Sequence, residues 1–183
     1  MTASAIPAAV IADAVAAAGA YLRLTQGEAD DVLTRATATA LALGEAYLGT
    51  AIVARAFEDV VRPGPDWRLL DAKPVQAITG VTALPAGAAP YILPVDAYAI
   101  DVDGDGDGWV RFPAAIGVER VAVAYVAGPA TTWADVPAAV AQGVAALAAH
   151  LFEARASDAQ PPAAVAALWR PFRRMRIGAG AIR

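Results

Sequence analysis

Between Thr50 and Pro129 the chain carries Pro63, Pro65, Pro74, Pro85, Pro90, Pro94 and Pro113. A proline inside a helix removes a backbone hydrogen bond and clashes with the preceding turn. No long helix can therefore cross this stretch. The residues between and beside the prolines fall into short β-rich runs: Ile52–Val61, Trp67–Asp71, Val75–Leu84, Tyr98–Asp103, Trp109–Phe112 and Val118–Ala127. The last run alternates, with Val121, Val123 and Tyr125 on one face and Ala122 and Ala124 on the other. Strands this closely spaced predict an antiparallel sheet or a small barrel.

On both sides of that stretch the pattern is helical. Alanine supplies 50 of the 183 residues, so the chain, 58% apolar, has fewer large core formers than that figure suggests. A first helix is expected over 4–19, with Ile6, Val10, Ala14 and Ala17 on one stripe and Gly19 weakening its end. A second is expected over 26–48. Thr25 and Glu28 have capping-box spacing, and Asp30 and Asp31 sit where the helix dipole favours acids. Leu33, Ala36, Ala40, Leu43 and Tyr47 recur at helical spacing, and Gly49 follows as a stop. After the prolines, Asp135 is a candidate N-cap for a helix over 136–156, with Pro137 in its first turn. Val140, Val144, Leu147 and Leu151 form its apolar stripe, and Ala141, Ala145 and Ala148 a face of small residues. A short helix over 162–170 is expected to open at Pro161-Pro162 and to carry Val165, Leu168, Trp169 and Phe172, with Pro171 kinking or ending it. The fold class is α+β: a helical bundle of two N-terminal and two C-terminal helices, with an antiparallel β-sheet or small barrel inserted at 50–128. Residues 1–169 read as a single domain and 170–183 as a basic C-terminal arm.

Charge supports that last division. The chain has a net charge of −4, but residues 1–169 carry 9 basic and 18 acidic side chains, a balance of −9. Arg170, Arg173, Arg174, Arg176 and Arg183 then follow with no acid, giving +5. A basic end on an acidic body points to a partner of its own. An acidic body argues against sequence-specific DNA binding, which needs a basic face. With no cysteine, a disulfide scaffold, a thiolate zinc site and a thiol nucleophile are excluded. One histidine, His150, excludes a three-histidine zinc site; its i, i+3 spacing to Glu153 lacks the second pair such metal sites use. Ser4 and Ser157 are the only serines, and neither lies in a nucleophile motif. No phosphate-binding glycine loop is present. The expectation is a protein without enzymatic activity and without a cofactor. The apolar segment Ala3–Leu24 lacks a basic leader and contains Asp13, and Val136–Phe152 is too short to span a bilayer. A soluble, intracellular chain with no membrane partner is expected.

The string from Asp101 through Asp103, Asp105 and Asp107 to Gly108 matches the first half of a calcium loop. Its twelfth position, where calcium needs a bidentate Glu, is Phe112, and its flanks read as strands. An exposed hairpin tip with no required metal is the favoured reading, glycine supplying positive φ and aspartate tolerating it. On that reading, replacing all four aspartates leaves folding intact.

Several strings, in order, resemble the head–tail connector proteins of long-tailed phages and gene transfer agents, also called adaptor or head-completion proteins. They begin with Leu22-Arg23-Leu24, then Ala29 to Leu33 and the helix running to Tyr47-Leu48-Gly49. Ile78-Thr79-Gly80-Val81-Thr82 follows, similar to the family's V-x-S-V-T strand. Val121 to Gly128 and then Val136-Pro137 to Val140 are similar to its V-x-V-x-Y-x-A-G and V-P-x-x-[IV] passage. The helix ending Ala148-Ala149-His150-Leu151-Phe152-Glu153-Ala154-Arg155 and the string from Pro162 through Val165 and Leu168 to Pro171-Phe172-Arg173 complete the set. The blocks span about residues 22–173.

The resemblance implies a structural, non-enzymatic adaptor. It forms a ring of copies of itself, usually twelve, beneath the portal protein, and extends the DNA channel. It also joins the capsid to a further neck or tail-completion protein. DNA passes through without sequence-specific binding, and the protein resides in the neck of a virion or gene transfer agent particle assembled in the bacterial cytoplasm. The isolated chain is expected to associate only weakly, the ring forming on the portal. The basic arm is the candidate portal-binding element: Arg170, Phe172, Arg173, Arg174, Met175, Arg176 and Ile177 interleave guanidinium and apolar groups. This arm is expected to leave the domain at Arg170. Two other readings compete: a small calcium- or ligand-binding module using the acidic loop 101–108, and a regulatory DNA binder acting through the arginines.

Overall fold

Three helices open directly behind a proline, and this sets the helical frame. The computed structural model describes residues 1–24, 30–154 and 162–174. Among them are α1 (Ala8–Leu22), α2 (Asp30–Leu48), α3 (Ala138–Glu153) and α4 (Ala163–Trp169). Pro7, Pro137 and Pro162 hold the N-cap positions of α1, α3 and α4. A fixed φ and a missing N–H cost nothing where the N–H would have no helical partner. Two expectations are corrected here. The first helix starts at Ala8, not at residue 4, because the Ser4 N–H bonds the Ala56 carbonyl at 2.9 Å and Pro7 holds Ile6 away from helical geometry. Asp135 does not cap α3. Its carboxylate accepts the Thr132 N–H and hydroxyl, each at 2.9 Å, and closes a separate 3-10 turn at Trp133–Asp135. The expected capping box at Thr25–Glu28 lies outside the described residues.

The chain folds as two compact units. The α-helices belong to one, which comprises residues 7–52 and 132–183. There α3 packs against α1, α2 and α4. Its buried face joins Val140, Gly143, Val144, Leu147 and Ala148 to Val10, Ala14 and Ala18 of α1 and to Leu33, Ala36, Thr37, Ala40 and Leu41 of α2. Leu33, Ala36 and Ala40 are buried as expected, but the later half of the stripe turns aside: Leu43 is 47% exposed, and Leu41, Gly44 and Leu48 face inward instead. Helix α1 ends where Arg23 adopts left-handed φ of 57°, with the Leu24 N–H bonding the Gly19 carbonyl. Gly49, at φ 70°, ends α2 as expected. No described helix is long and apolar enough to cross a membrane.

The second unit comprises residues 1–6 and 53–131 and is built of open antiparallel sheets. One sheet has the order β1-β2-β8-β4-β5, from β1 (Thr2–Ala3), β2 (Arg55–Val61), β4 (Val75–Ala83), β5 (Tyr91–Ile92) and β8 (Val121–Ala127). The other has the order β3-β7-β6, from β3 (Arg68–Leu69), β6 (Ala99–Val102) and β7 (Gly108–Arg111). Neither closes into a barrel, so of the two expected forms the inserted sheet is the one observed. Strands β1 and β5, two residues each, carry no sequence pattern long enough to read. Central β8 pairs with β2 and β4 over its whole length, and Val121, Val123 and Tyr125 face the core as the alternation predicted.

One polar node sits in this core. Asp59 is 4% exposed, and its Oδ2 accepts the Asp71 N–H at 2.7 Å and the Tyr125 hydroxyl at 3.0 Å. The same hydroxyl accepts the Ala72 N–H at 3.0 Å. Burial first, and the Asp59 carboxylate with it, push the Tyr125 phenol well above its ordinary range, so it stays protonated and donating. This node ties β2, β8 and the 70–72 segment together.

Candidate functional site

The C-terminal turn begins where Trp169 closes the helical unit. Its indole is buried between α2 and α3: the Nε1–H donates to the Val140 carbonyl at 3.2 Å, and its ring lies 5.8 Å from that of Tyr47. The glycines at 143 and 44 make the room. A Cβ at Gly143 would collide with the indole, and one at Gly44 would stand 3.3 Å from both its Cη2 and Ile52 Cδ1. Helix α4 ends at Trp169, and Pro171 places Arg170–Phe172 in a 3-10 turn, so Phe172 lies beyond the helix expected to carry it.

From there the chain does not leave the domain at once. The Arg173 guanidinium lies 5.3 Å above the Tyr47 ring, and the Arg174 N–H donates to the Leu48 carbonyl at 2.9 Å. A basic segment thus covers the carbonyl end of α2, the negative end of its dipole. The departure expected at Arg170 is corrected to a point no earlier than Arg174. Phe172 is 39% exposed beside these arginines. Of the expected site residues, Arg170, Phe172, Arg173 and Arg174 share this short stretch, while Met175, Arg176 and Ile177 lie outside the described residues.

The acidic hairpin joins β6 to β7, and it is built differently from a free tip. Asp103 Oδ1 accepts the N–H groups of Asp105 (3.0 Å) and Asp107 (2.9 Å), and its Oδ2 accepts the Trp109 indole N–H at 3.1 Å. Asp107 forms an ion pair of 3.1 Å with Lys73, the only lysine in the chain and 7% exposed. The Val75 N–H donates to the Gly106 carbonyl at 2.7 Å, and Gly106, at φ 78°, lies so close to Pro74 that any Cβ would strike it. The turn is folded back onto the 70–75 segment. Asp103 and Asp107 therefore support the fold, which corrects the expectation that all four aspartates are dispensable to it.

Phe112, at the calcium loop's twelfth position, is 1% exposed in the core. No group of three or more metal-capable side chains occurs among the described residues. His150 is on α3, half-buried near its C-terminal end. A groove of about 430 Å³ runs between Pro63–Pro65 and the 112–119 loop; its lining is apolar except for Glu119. Nothing in that lining pairs a nucleophile with a base.

Sequence reading missed three features. Lys73 and Asp59 answer partners 34 and 66 positions away, Asp107 and Tyr125, and no local pattern encodes such pairings. The third is a run of exposed apolar side chains from Tyr91 to Val102, which no periodic pattern in the sequence marks as exposed.

No known protein family matches the chain by its sequence profile, and no curated protein matches it by sequence. Solved structures do match the fold. A chain from the neck of an empty gene transfer agent particle, computed with sixfold symmetry, superposes with a TM-score of 0.76 at 24% identity. The match covers 98% of this chain and 99% of that one. A chain from the virion of a native gene transfer agent particle gives 0.72 at 24% identity, over 97% and 96%. One from the neck of a native particle, computed with twelvefold symmetry, gives 0.72 at 22%, over 98% and 99%. The similarity runs end to end, through both the helical and the β unit.

Proposed function

We propose that this protein is a structural component of the neck of a gene transfer agent or tailed-phage particle. In this reading it forms a ring beneath the portal, extends the DNA channel and joins the head to the next neck or tail-completion protein. The observation that carries it is the end-to-end fold match to chains of gene transfer agent particles, two of them from necks. The chemistry is compatible. In this reading the role is structural, with no enzymatic step and no cofactor. The acidic balance of residues 1–169 disfavours DNA sticking during passage. Obligate rings bury large uncharged surfaces, and the alanine-rich helices offer them.

The portal contact is assigned to the basic end, through Arg170, Phe172, Arg173, Arg174, Met175, Arg176 and Ile177. Arginines there would pair with portal carboxylates while the apolar side chains enter pockets. Arg173 and Arg174, held against α2, form the base from which the arm starts. The test is genetic. Removing the gene should leave filled heads that never acquire tails. Removing residues 175–183 alone should give a folded protein that no longer joins portal-containing heads. Normal tailed particles from the deletion strain would overturn the reading; normal incorporation of the truncated protein would overturn the arm.

A further inference from the structure

Tyr47, half-buried at the end of α2, touches two parts of the C-terminal segment. Its ring centroid lies 5.8 Å from that of the Trp169 indole, and the Arg173 guanidinium lies 5.3 Å above it. Its hydroxyl donates to the Ala166 carbonyl at 3.4 Å. Two residues on, Gly49 leaves the helix at φ 70°, and a Cβ there would stand 2.8 Å from the Arg174 carbonyl oxygen. Cβ atoms do not approach that closely, so Arg174 can sit here only because residue 49 has no side chain. The Arg174 N–H bonds the Leu48 carbonyl at 2.9 Å, so both the N–H and the carbonyl of Arg174 lie against the end of α2.

The consequence is a turn fixed at both ends. Trp169 is buried at its start, and Arg174 is seated at its finish. Between them Arg170 and Phe172 stand exposed in the 3-10 turn. Residues 162–174 contain no acid. The acid in the last turn of α2 is Glu45, whose carboxylate accepts the Ile52 N–H at 2.8 Å. Arginine and phenylalanine are residue types enriched where proteins bind one another. Trp169 fixes only the start of the turn; the seat formed by Tyr47 and Gly49 supplies the second anchor.

We propose that Tyr47 and Gly49 are positioning residues for the contact assigned above to the basic end. They hold Arg170 and Phe172 in one geometry before the partner arrives, ready for an apolar pocket with an acidic rim. This role rests on the portal reading, and it makes the first part of the basic end a preformed head rather than a flexible arm. Side chains ordered in advance cost less to bind, and an oriented guanidinium pairs best with a carboxylate.

Two measurements test it. Gly49→Asn separates the seat from the helix stop, because asparagine tolerates left-handed φ while its Cβ meets the Arg174 carbonyl. In the isolated full-length protein the Arg174 amide should exchange with deuterium roughly tenfold more slowly than an unstructured amide, and Gly49→Asn should abolish that protection. In a strain expressing variant and native protein together, the variant's share of assembled particles should fall roughly tenfold. Tyr47→Leu should have the same effects, and Tyr47→Phe, which keeps the ring beneath Arg173, should restore both. In an Arg170→Ala, Phe172→Ala background, Gly49→Asn should lower the share no further, because the residues it positions are gone; a merely structural defect would add to the loss. An unprotected native Arg174 amide, or one still protected in Gly49→Asn, overturns the seat. Equal shares for native and Gly49→Asn protein, or a further loss in the double-alanine background, overturns the positioning role. Native protein absent from particles overturns the portal reading and the role that rests on it, whereas the amide measurement reports on the seat alone.

Discussion

Gly143→Ala sets two physical effects against each other, and their magnitudes decide the sign. On helix propensity alone, alanine for glycine inside α3 stabilises by about 1 kcal/mol. In the structure a Cβ at this position occupies the space of the Trp169 indole. The two cannot coexist without displacing a side chain that is 3% exposed. An indole buries roughly 150–250 Å², worth about 4–6 kcal/mol at 25 cal/mol per Å². Its expulsion also leaves the Val140 carbonyl without the indole N–H. Partial relaxation reduces the loss, and the net expectation is a destabilisation of about 3 kcal/mol, or roughly 6–12 °C in melting temperature for a chain of this size. Denaturant and thermal unfolding followed by helical circular dichroism measure it. Trp169→Ala alone should cost about 3–5 kcal/mol. In that background Gly143→Ala should become neutral or stabilising, because the obstacle is gone. If Gly143→Ala in the native chain is neutral or stabilising, the indole does not sit where this account places it, and the anchoring of the C-terminal turn falls with it.

Three further substitutions probe the β unit. Asp103→Ala strands the Asp105 and Asp107 N–H groups and the Trp109 indole N–H; a loss of about 2 kcal/mol is expected, and wild-type stability in urea would restore the free-tip view. Lys73→Met leaves the half-buried Asp107 carboxylate unpaired and should cost about 2 kcal/mol, most of it recovered by adding Asp107→Asn; failure of the second change to recover stability would contradict the pairing. Tyr125→Phe removes the donor to Asp59 and the acceptor for Ala72, an expected loss of about 1–3 kcal/mol at neutral pH. The folded phenol titrates well above the unfolded one, so its stabilisation is complete below about pH 10 and declines as the unfolded chain ionises above it. The stability gap between wild type and Tyr125→Phe should therefore narrow from pH 9 to pH 11; an unchanged gap would mean that the phenol is not buried as described.

What could be read from the sequence was what local chemistry dictates. Prolines exclude helix from the middle of the chain, and alternation alone places Val121, Val123 and Tyr125 on the core side of β8. Helical spacing found α2, yet it chose Leu43 for the core and passed over Thr37 and Gly44. The error is instructive, because a 3, 4 spacing fits two adjacent stripes. The true one is marked by a buried threonine and by a glycine making room for Trp169, and neither reads as apolar. Asp135 has the type and position of a helix cap, but Thr132 competes for the same carboxylate. The four aspartates of the hairpin read as one acidic feature. Their different roles depend on Lys73 and Trp109, and only the folded backbone brings Lys73 close. The Tyr91–Val102 patch escaped notice because exposure on a two-residue strand leaves no periodic signal.

The central claim is that the chain is a ring-forming part of a particle neck. Electron cryo-microscopy of purified particles from the producing strain, with the neck reconstructed under the particle's symmetry, tests it most directly. The account predicts a ring of copies with this α+β fold between the portal and the tail, its basic ends toward the portal. Particles whose neck contains no density for this fold, or that are complete without the protein, would contradict it.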